Sequence, residues 1–177
     1  MLLSRIPTLD KGFVALIDSS VTLSKLKEVG LEFFGGEYPT SLEKFGSLTV
    51  AMKCPLFVQL NLSKFSLKMI TASSSSSVEA YVPNAIEIKA SDVPTSELIS
   101  NDISRTTEAL LLNPTAYQAD GCDTFTSQVI TPINVYTTLI IQGDYDEWCK
   151  FAYQDKVPNA IKAYSIAIQQ IIKSEWK

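Results

Sequence analysis

The side chains that could do chemistry are few, and what is missing narrows the choice first. The sequence has no histidine. A histidine general base, a Ser-His-Asp triad and a histidine-ligated metal are therefore excluded for these residues. Arginine, the preferred bidentate partner of phosphates and carboxylates, occurs only at Arg5 and Arg105. Three cysteines, Cys54, Cys122 and Cys149, stand far apart with no C-x-x-C spacing, so neither zinc nor redox chemistry is suggested and buried thiols in a reducing compartment are expected. Asp144, Asp146 and Glu147 form an acidic cluster. A metal would need convergent ligands, and a solvated turn is the simpler reading, so no metal site is expected. Ser73–Ser77 could in principle cradle a phosphate, but the run has no glycine and no adjacent arginine; it reads as a flexible loop or linker. Lys64 could meet a phosphate or be an ordinary solvated helix residue. Ser74 could position a ligand through its hydroxyl or be a plain loop serine.

The elements that must position these groups centre on residues 48–70. Leu48–Lys53 alternates and reads as a strand. Pro55 breaks it. From Leu56 the apolar spacing turns helical, through Leu60, Leu62 and Leu67, and proline is favoured at the first turn of a helix because its missing N–H has no partner there anyway. The expectation is strand, proline, buried helix. Upstream, residues 8–18 read as a turn followed by a strand, with Phe13–Ile17 wholly apolar. Residues 22–34 read as a helix whose stripe is Leu23, Leu26, Val29 and Phe33, ended by Gly35-Gly36.

Downstream, Tyr81–Ile88 reads as extended. A helix capped by Thr95 or Ser96 should run to about Leu112 and stop at Asn113-Pro114. Residues 121–142 read as a long apolar helix kinked by Pro132, in which Asn134 and Tyr136 would satisfy buried hydrogen bonds. Asp146–Tyr153 reads as a short helix. Asn159–Lys173 reads as the last, with Ile161, Tyr164, Ile168 and Ile171 in one stripe. The sum is one α+β domain over residues 1–177, a small antiparallel or mixed sheet packed with several helices.

Composition agrees with a folded chain. Of 177 residues, 46% are hydrophobic and 19% charged, which argues against general disorder. A net charge of −4 with no basic cluster makes a poor phosphate-backbone binder, so nucleic acid is not an expected partner. No run approaches the roughly 18 apolar residues of a membrane span, and the N-terminal apolar stretch is short for a signal peptide. A soluble, cytoplasmic protein is expected.

Three segments together resemble the flavin-dependent thymidylate synthases, the thymidylate-synthase-complementing family. Thr8–Val14, continuing to Asp18, looks like that family's opening strand. VAMKCPLFV, from Val50 to Val58, is similar to the strand and helix start that lead into its signature. GCDTFTSQVITPINVYT, from Gly121 to Thr137, resembles its buried helix, down to Pro132, Asn134, Tyr136 and Thr137. Phe151 and the helix around Tyr164–Ile168 continue the likeness. The resemblance implies the family's fold and a homotetramer. It also implies FAD and dUMP bound between subunits, with methylenetetrahydrofolate supplying carbon and NADPH electrons.

The chain departs from the family where the ligands would be held. The signature R-H-R-x-x-S-x-N-x-x-S-x-R falls on a run starting at Lys64. Lys64 stands for the first arginine, Phe65 for the histidine, Ser66 for the second arginine and Ser76 for the last. Ser74 falls at the later signature serine. Thr40 would match a flavin-contacting threonine, although a turn or cap role suits it equally. By the resemblance, Thr40 and Lys64 are vestigial flavin-binding positions, and Asn61, Ser74 and Gln128 vestigial substrate-binding ones. Gln128 replaces an arginine four residues before the buried proline. The family's late Arg-Ala-Asp-Ser-His segment, which holds the base, is shortened to Gln154-Asp155-Lys156.

Arginine to lysine loses the bidentate fork, and arginine to serine or glutamine loses the charge. If each charged hydrogen bond is worth roughly 1.5–3 kcal/mol, dUMP affinity falls by orders of magnitude. The expectation is a degenerate relative, of viral or phage origin, with no catalytic residue assigned and no cofactor unless the family function is retained. It would be an oligomer that binds a nucleotide or a partner. The alternatives are an active FAD-dependent dUMP methylating subunit and a structural, virion-type oligomer.

Overall fold

The computed structural model describes residues 5–20, 46–72, 79–88, 92–121 and 132–175. The helix expected over 22–34 and the serine run at 73–77 lie outside the described residues. The chain divides into two compact units. One comprises Met1–Cys54, Val58–Ser74 and Thr137–Lys177; the other comprises Pro55–Phe57 and Ser75–Tyr136.

The first unit is built on a five-stranded sheet in the order β1-β2-β3-β5-β4. Its strands are β1 (Arg5–Thr8), β2 (Gly12–Ser19), β3 (Ser47–Pro55), β4 (Lys68–Ala72) and β5 (Tyr136–Asp144). The pairs β1–β2, β2–β3 and β4–β5 run antiparallel. The expected turn and strand at 8–18 are the second half of a hairpin whose first strand, β1, places Thr8 opposite Gly12. Arg5 lies over the Phe13 ring at 4.4 Å, a contact that screens part of this edge hairpin from water. At Gly12 a Cβ would collide with the Tyr164 hydroxyl and come within 2.7 Å of the Thr8 carbonyl oxygen. Glycine is required here by space.

Strand β3 shows why alternation was legible: Leu48, Val50, Met52 and Cys54 are fully buried, while the residues between them are half-buried. The helices that cover them are α3 (Tyr145–Ala152) and α4 (Asn159–Glu175), both close to expectation. Helix α4 packs on β1, β2 and α3. Its stripe of Ile161, Tyr164, Ile168 and Ile171 is buried, and the Tyr164 hydroxyl donates to the Lys53 carbonyl at 3.0 Å. Trp148 and Phe151 of α3 are fully buried and meet edge to face. The Trp148 indole N–H donates to the Leu48 carbonyl at 3.0 Å, so the largest core side chain also has its polar atom satisfied.

Three expectations around the organising stretch are corrected. Helix α1 spans only Leu56–Leu62. The helical spacing read through Leu67 does not continue as a helix, and the chain forms β4 from Lys68, where Met69 and Thr71 pair with Ile141 and Leu139 of β5. Lys64 is accordingly a turn residue, not a helix residue. Residues 136–142, expected in a helix, form β5. Thr137, Thr138, Ile140 and Ile141 are β-branched, and Leu139, Ile141 and Gly143 are buried while Ile140 and Gln142 are exposed. This period of two outweighs the apolar run that suggested a helix.

The second unit holds helix α2 (Val93–Ala119). Its cap is Asp92, whose carboxylate accepts the Thr95 N–H at 2.7 Å, rather than Thr95 or Ser96. The helix also continues past Pro114, where a stop was expected. Proline removes one donor, but Asp120 N–H still reaches the Ala116 carbonyl at 3.0 Å. Residues 85–88 turn rather than extend, because Asn84 Oδ1 accepts the N–H groups of Ile86 and Glu87, an Asx turn. Asn134 lies outside any helix, yet its amide does satisfy internal groups, donating to the Tyr81 carbonyl at 2.8 Å and to Thr107 Oγ1 at 3.1 Å. The first N–H groups of α1, from Leu56 and Phe57, donate to the carbonyls of Val135 and Ile133, which fill the role of a side-chain cap. No helix among the described residues is long and apolar enough to cross a membrane.

Candidate functional site

The candidate site lies in the first unit, where the loop after α1 meets the turn between α3 and α4. Helix α1 closes tightly: Lys64 N–H donates to the Asn61 carbonyl and Phe65 N–H to the Leu62 carbonyl, each spanning three residues. That tightening leaves Lys64 and Ser66 exposed and turns Asn61 inward, at 7% exposure. Phe65 stacks edge-on against Phe151 with centroids 5.7 Å apart, which holds the loop on α3.

The facing turn starts where α3 ends. The last carbonyls of a helix have no partner within it. Here Ser165 and Gln169 of α4 reach back to them: Ser165 Oγ donates to the Phe151 carbonyl at 3.2 Å, and Gln169 Nε2 to the Ala152 carbonyl at 2.6 Å. Gln154 joins the same group. Its Nε2 lies 3.0 Å from the Phe151 carbonyl, 3.2 Å from Asn61 Oδ1 and 3.4 Å from Ser165 Oγ. Two segments that the sequence resemblance singled out, 93 residues apart, are thus joined side chain to side chain. Lys156, which follows, has a left-handed φ of 55°; this tight turn returns the chain to α4.

On the other side of the loop the charge is negative. Asp144 caps α3 by accepting the Glu147 N–H at 2.9 Å. Glu147 Oε2 accepts the Ser66 N–H at 2.8 Å, and its Oε1 accepts from Lys150 Nζ at 2.7 Å. Lys150 Nζ also pairs with Asp146 at 2.9 Å. The acidic cluster is therefore a helix cap and a charge pair set rather than a bare solvated turn. The Lys150 ammonium first, then the Ser66 N–H, hold the Glu147 carboxyl below its usual range. The two carboxylates in turn raise Lys150.

Chemically the cluster is a hydrogen-bonding site. Asn61, Gln154 and Ser165 are neutral and can orient a ligand but cannot carry a proton. Glu147 is ionised, paired and a weak base. Cys54 is buried, and burial pushes its thiol up to about 12, with a smaller opposing effect from the Gln59 N–H; it is no nucleophile at neutral pH. Of the positions singled out from sequence, the structure brings Asn61 into this cluster and places Lys64 beside it in the loop. Thr40, Ser74 and Gln128 lie outside the described residues. Ser165 was missed. Its signal was a polar residue next to Tyr164 on the apolar side of α4.

No protein-family model matches the chain, and no curated protein does. Solved structures do. The chain is similar in fold to PolB, a UMP/dUMP methylase from Streptomyces cacaoi. The PolB structure bound with 5-Br dUMP superposes with a TM-score of 0.78 at 15% identity, over 97% of this chain and 94% of that one. The PolB structure bound with 5-Br UMP gives 0.78 at 13%, over 97% and 93%. At this identity the likeness to PolB is one of fold. The expected α+β architecture, a small sheet with several helices, is the observed one, and it is the fold shared with PolB.

Proposed function

We propose that this chain is a degenerate relative of the flavin-dependent thymidylate synthases that binds a pyrimidine nucleotide or a partner as a homo-oligomer and does not methylate dUMP. The observation that carries the reading is the Glu147 carboxylate on the Ser66 N–H. By the sequence resemblance, Ser66 stands where the family has an arginine. The arginine would donate to a ligand phosphate, whereas here the Ser66 N–H is already taken by a carboxylate, so this position lacks the cation that the family's reaction would use. The choice of ligand class is supported by two independent likenesses. The sequence resembles dUMP-methylating enzymes, and the fold is similar to that of a UMP/dUMP methylase.

The same loop bears on the flavin. A flavin pyrophosphate requires cationic or backbone donors. Among the described residues the loop offers Lys64, while the Ser66 N–H is already engaged by a carboxylate. These residues do not fit the group, and the proposed function runs without a flavin step. Assembly into a homo-oligomer, a tetramer in the family resembled, is supported by Ile70 and Ile140. They sit opposite each other on β4 and β5 and are 69% and 44% exposed.

A second reading, an active pyrimidine-nucleotide methylase, is favoured by one observation: the likeness to PolB runs over 97% of this chain. One experiment separates the two. Purified protein is incubated with dUMP, methylenetetrahydrofolate, NADPH and FAD, while dUMP binding is measured by calorimetry. Binding without thymidylate formation supports the first reading. Turnover establishes the second.

A further inference from the structure

We propose that α2 pairs antiparallel with α2 of a second copy of this chain, through a stripe formed by Thr95, Leu98, Asp102, Arg105, Ala109 and Leu112. The inference rests on the homo-oligomer part of the reading above and adds the surface and its register. It uses nothing of the nucleotide part.

Helix α2 is turned inside out. A helix on a globular surface ordinarily buries its apolar stripe and shows its polar one. Here the side chains turned inward include three hydroxyls. Ser96 and Thr107 are buried and Ser100 is half-buried. Ser96 Oγ donates to the Ile88 carbonyl at 3.0 Å and Ser100 Oγ to the Pro83 carbonyl at 2.8 Å, while Thr107 Oγ1 accepts from the Asn134 amide at 3.1 Å. The other side of the helix carries Leu98 and Leu112, 65% and 72% exposed. Asp102, Arg105 and Ala109 on that side are exposed as well, and Thr95 is half-buried. A helix held to its own unit by hydroxyls, with its leucines in water, presents a face made for another surface.

The spacing of that face says which surface. The six positions follow one another at three, four, three, four and three residues, the a and d positions of a heptad repeat. In an antiparallel pair each a position faces a d position of the other helix. Thr95 then meets the partner's Leu112, Leu98 meets the partner's Ala109, and Asp102 meets the partner's Arg105, with the same three layers repeated in reverse. A large side chain faces a small one next to the centre, and a carboxylate faces a guanidinium on each side of it. The stripe is therefore complementary to itself about a two-fold axis, as an isologous contact requires. A parallel pairing would set Asp102 on Asp102 and Arg105 on Arg105, so charge selects the antiparallel register. Such a charge pair contributes more to register than to affinity.

The test is sedimentation velocity of the full chain at micromolar concentration. It compares wild type, Arg105→Asp, Leu98→Glu and the double swap Asp102→Arg with Arg105→Asp, each checked for fold by circular dichroism. Wild type is expected to sediment as a dimer or a larger even-numbered assembly. Arg105→Asp sets carboxylate against carboxylate across the axis, and Leu98→Glu puts a charge on the apolar layer; each is expected to halve the mass or to weaken association roughly tenfold or more. The double swap restores a facing carboxylate and guanidinium and is expected to restore the wild-type mass. An assembly unchanged by folded Arg105→Asp and Leu98→Glu, or lost in Arg105→Asp and not regained in the swap, would overturn the pairing and leave a homo-oligomer built through another face. A monomeric wild type would overturn the pairing and the homo-oligomer together, leave nucleotide binding to its own experiment, and turn the stripe over to a different protein. Leu98→Glu and the wild-type mass keep the proposal open to refutation if Arg105→Asp does not fold.

Discussion

Glu147 Oε2 accepts the backbone N–H of Ser66 at 2.8 Å, tying the first turn of α3 to the loop that follows α1 across 81 residues of sequence. The contact satisfies a loop donor with a charged acceptor, and the same carboxylate is neutralised from the other side by Lys150.

A pH dependence of stability follows. The folded-state pKa of Glu147 is lowered by Lys150 and by Ser66, so the unfolded chain binds its proton more readily. Its stabilising contribution is complete above the ordinary glutamate value of about 4.3 and is lost as pH falls through the lower folded value. Thermal unfolding of wild type and Glu147→Gln should therefore differ most near neutral pH and converge towards about pH 3. Curves that stay parallel over that range would refute this role for the carboxylate.

Gly12→Ala should destabilise the fold. The added methyl would strike the Tyr164 hydroxyl and crowd the Thr8 carbonyl, a backbone atom that cannot move without opening the β1–β2 turn. Overpacking of this kind costs about 1–3 kcal/mol. Chemical denaturation should show a lower midpoint with an unchanged slope. An unchanged midpoint would mean that the hairpin yields freely.

Removing the α3 cap is a milder test. Asp144→Ala takes away the acceptor of the Glu147 N–H and should cost about 1 kcal/mol. Asp144→Asn, which keeps a capping oxygen, should recover most of it. If alanine and asparagine lower the denaturation midpoint equally, the carboxylate matters through its charge rather than as a cap.

Cysteine reactivity should divide along burial. Cys54 is fully buried with its thiol pushed up to about 12, whereas Cys149 is half-buried. Iodoacetamide at neutral pH should leave Cys54 unmodified in the native protein and alkylate it after denaturation, as read by mass spectrometry of the peptides. Native labelling of Cys54 at the rate of Cys149 would show that the core around β3 opens readily.

What the sequence reveals here depends on range. Strands β2 and β3 and helices α3 and α4 carry their own periodicity, and residues such as Val50, Met52, Tyr164 and Ile168 announce the face they bury. Strand β5 was hidden because an apolar run holding Leu139, Ile140 and Ile141 suits a buried helix as well as a strand; pairing with β4 decides it. The early end of α1 was equally unreadable, since Met69 and Thr71 turn to β5 only once the sheet exists. At the site, Asn61 and Lys64 were marked by resemblance. The joining of Asn61 to Gln154, and of Ser66 to Glu147, is tertiary and leaves no local pattern. Ser165 was readable only as a polar residue on an apolar face.

The most direct test of the central claim is the visible and near-ultraviolet absorbance of the purified protein, titrated with FAD and then with dUMP. The account predicts that no flavin band stays with the protein after gel filtration and that dUMP changes nothing in that region. A retained flavin whose spectrum shifts on adding dUMP would contradict it and restore the methylase reading.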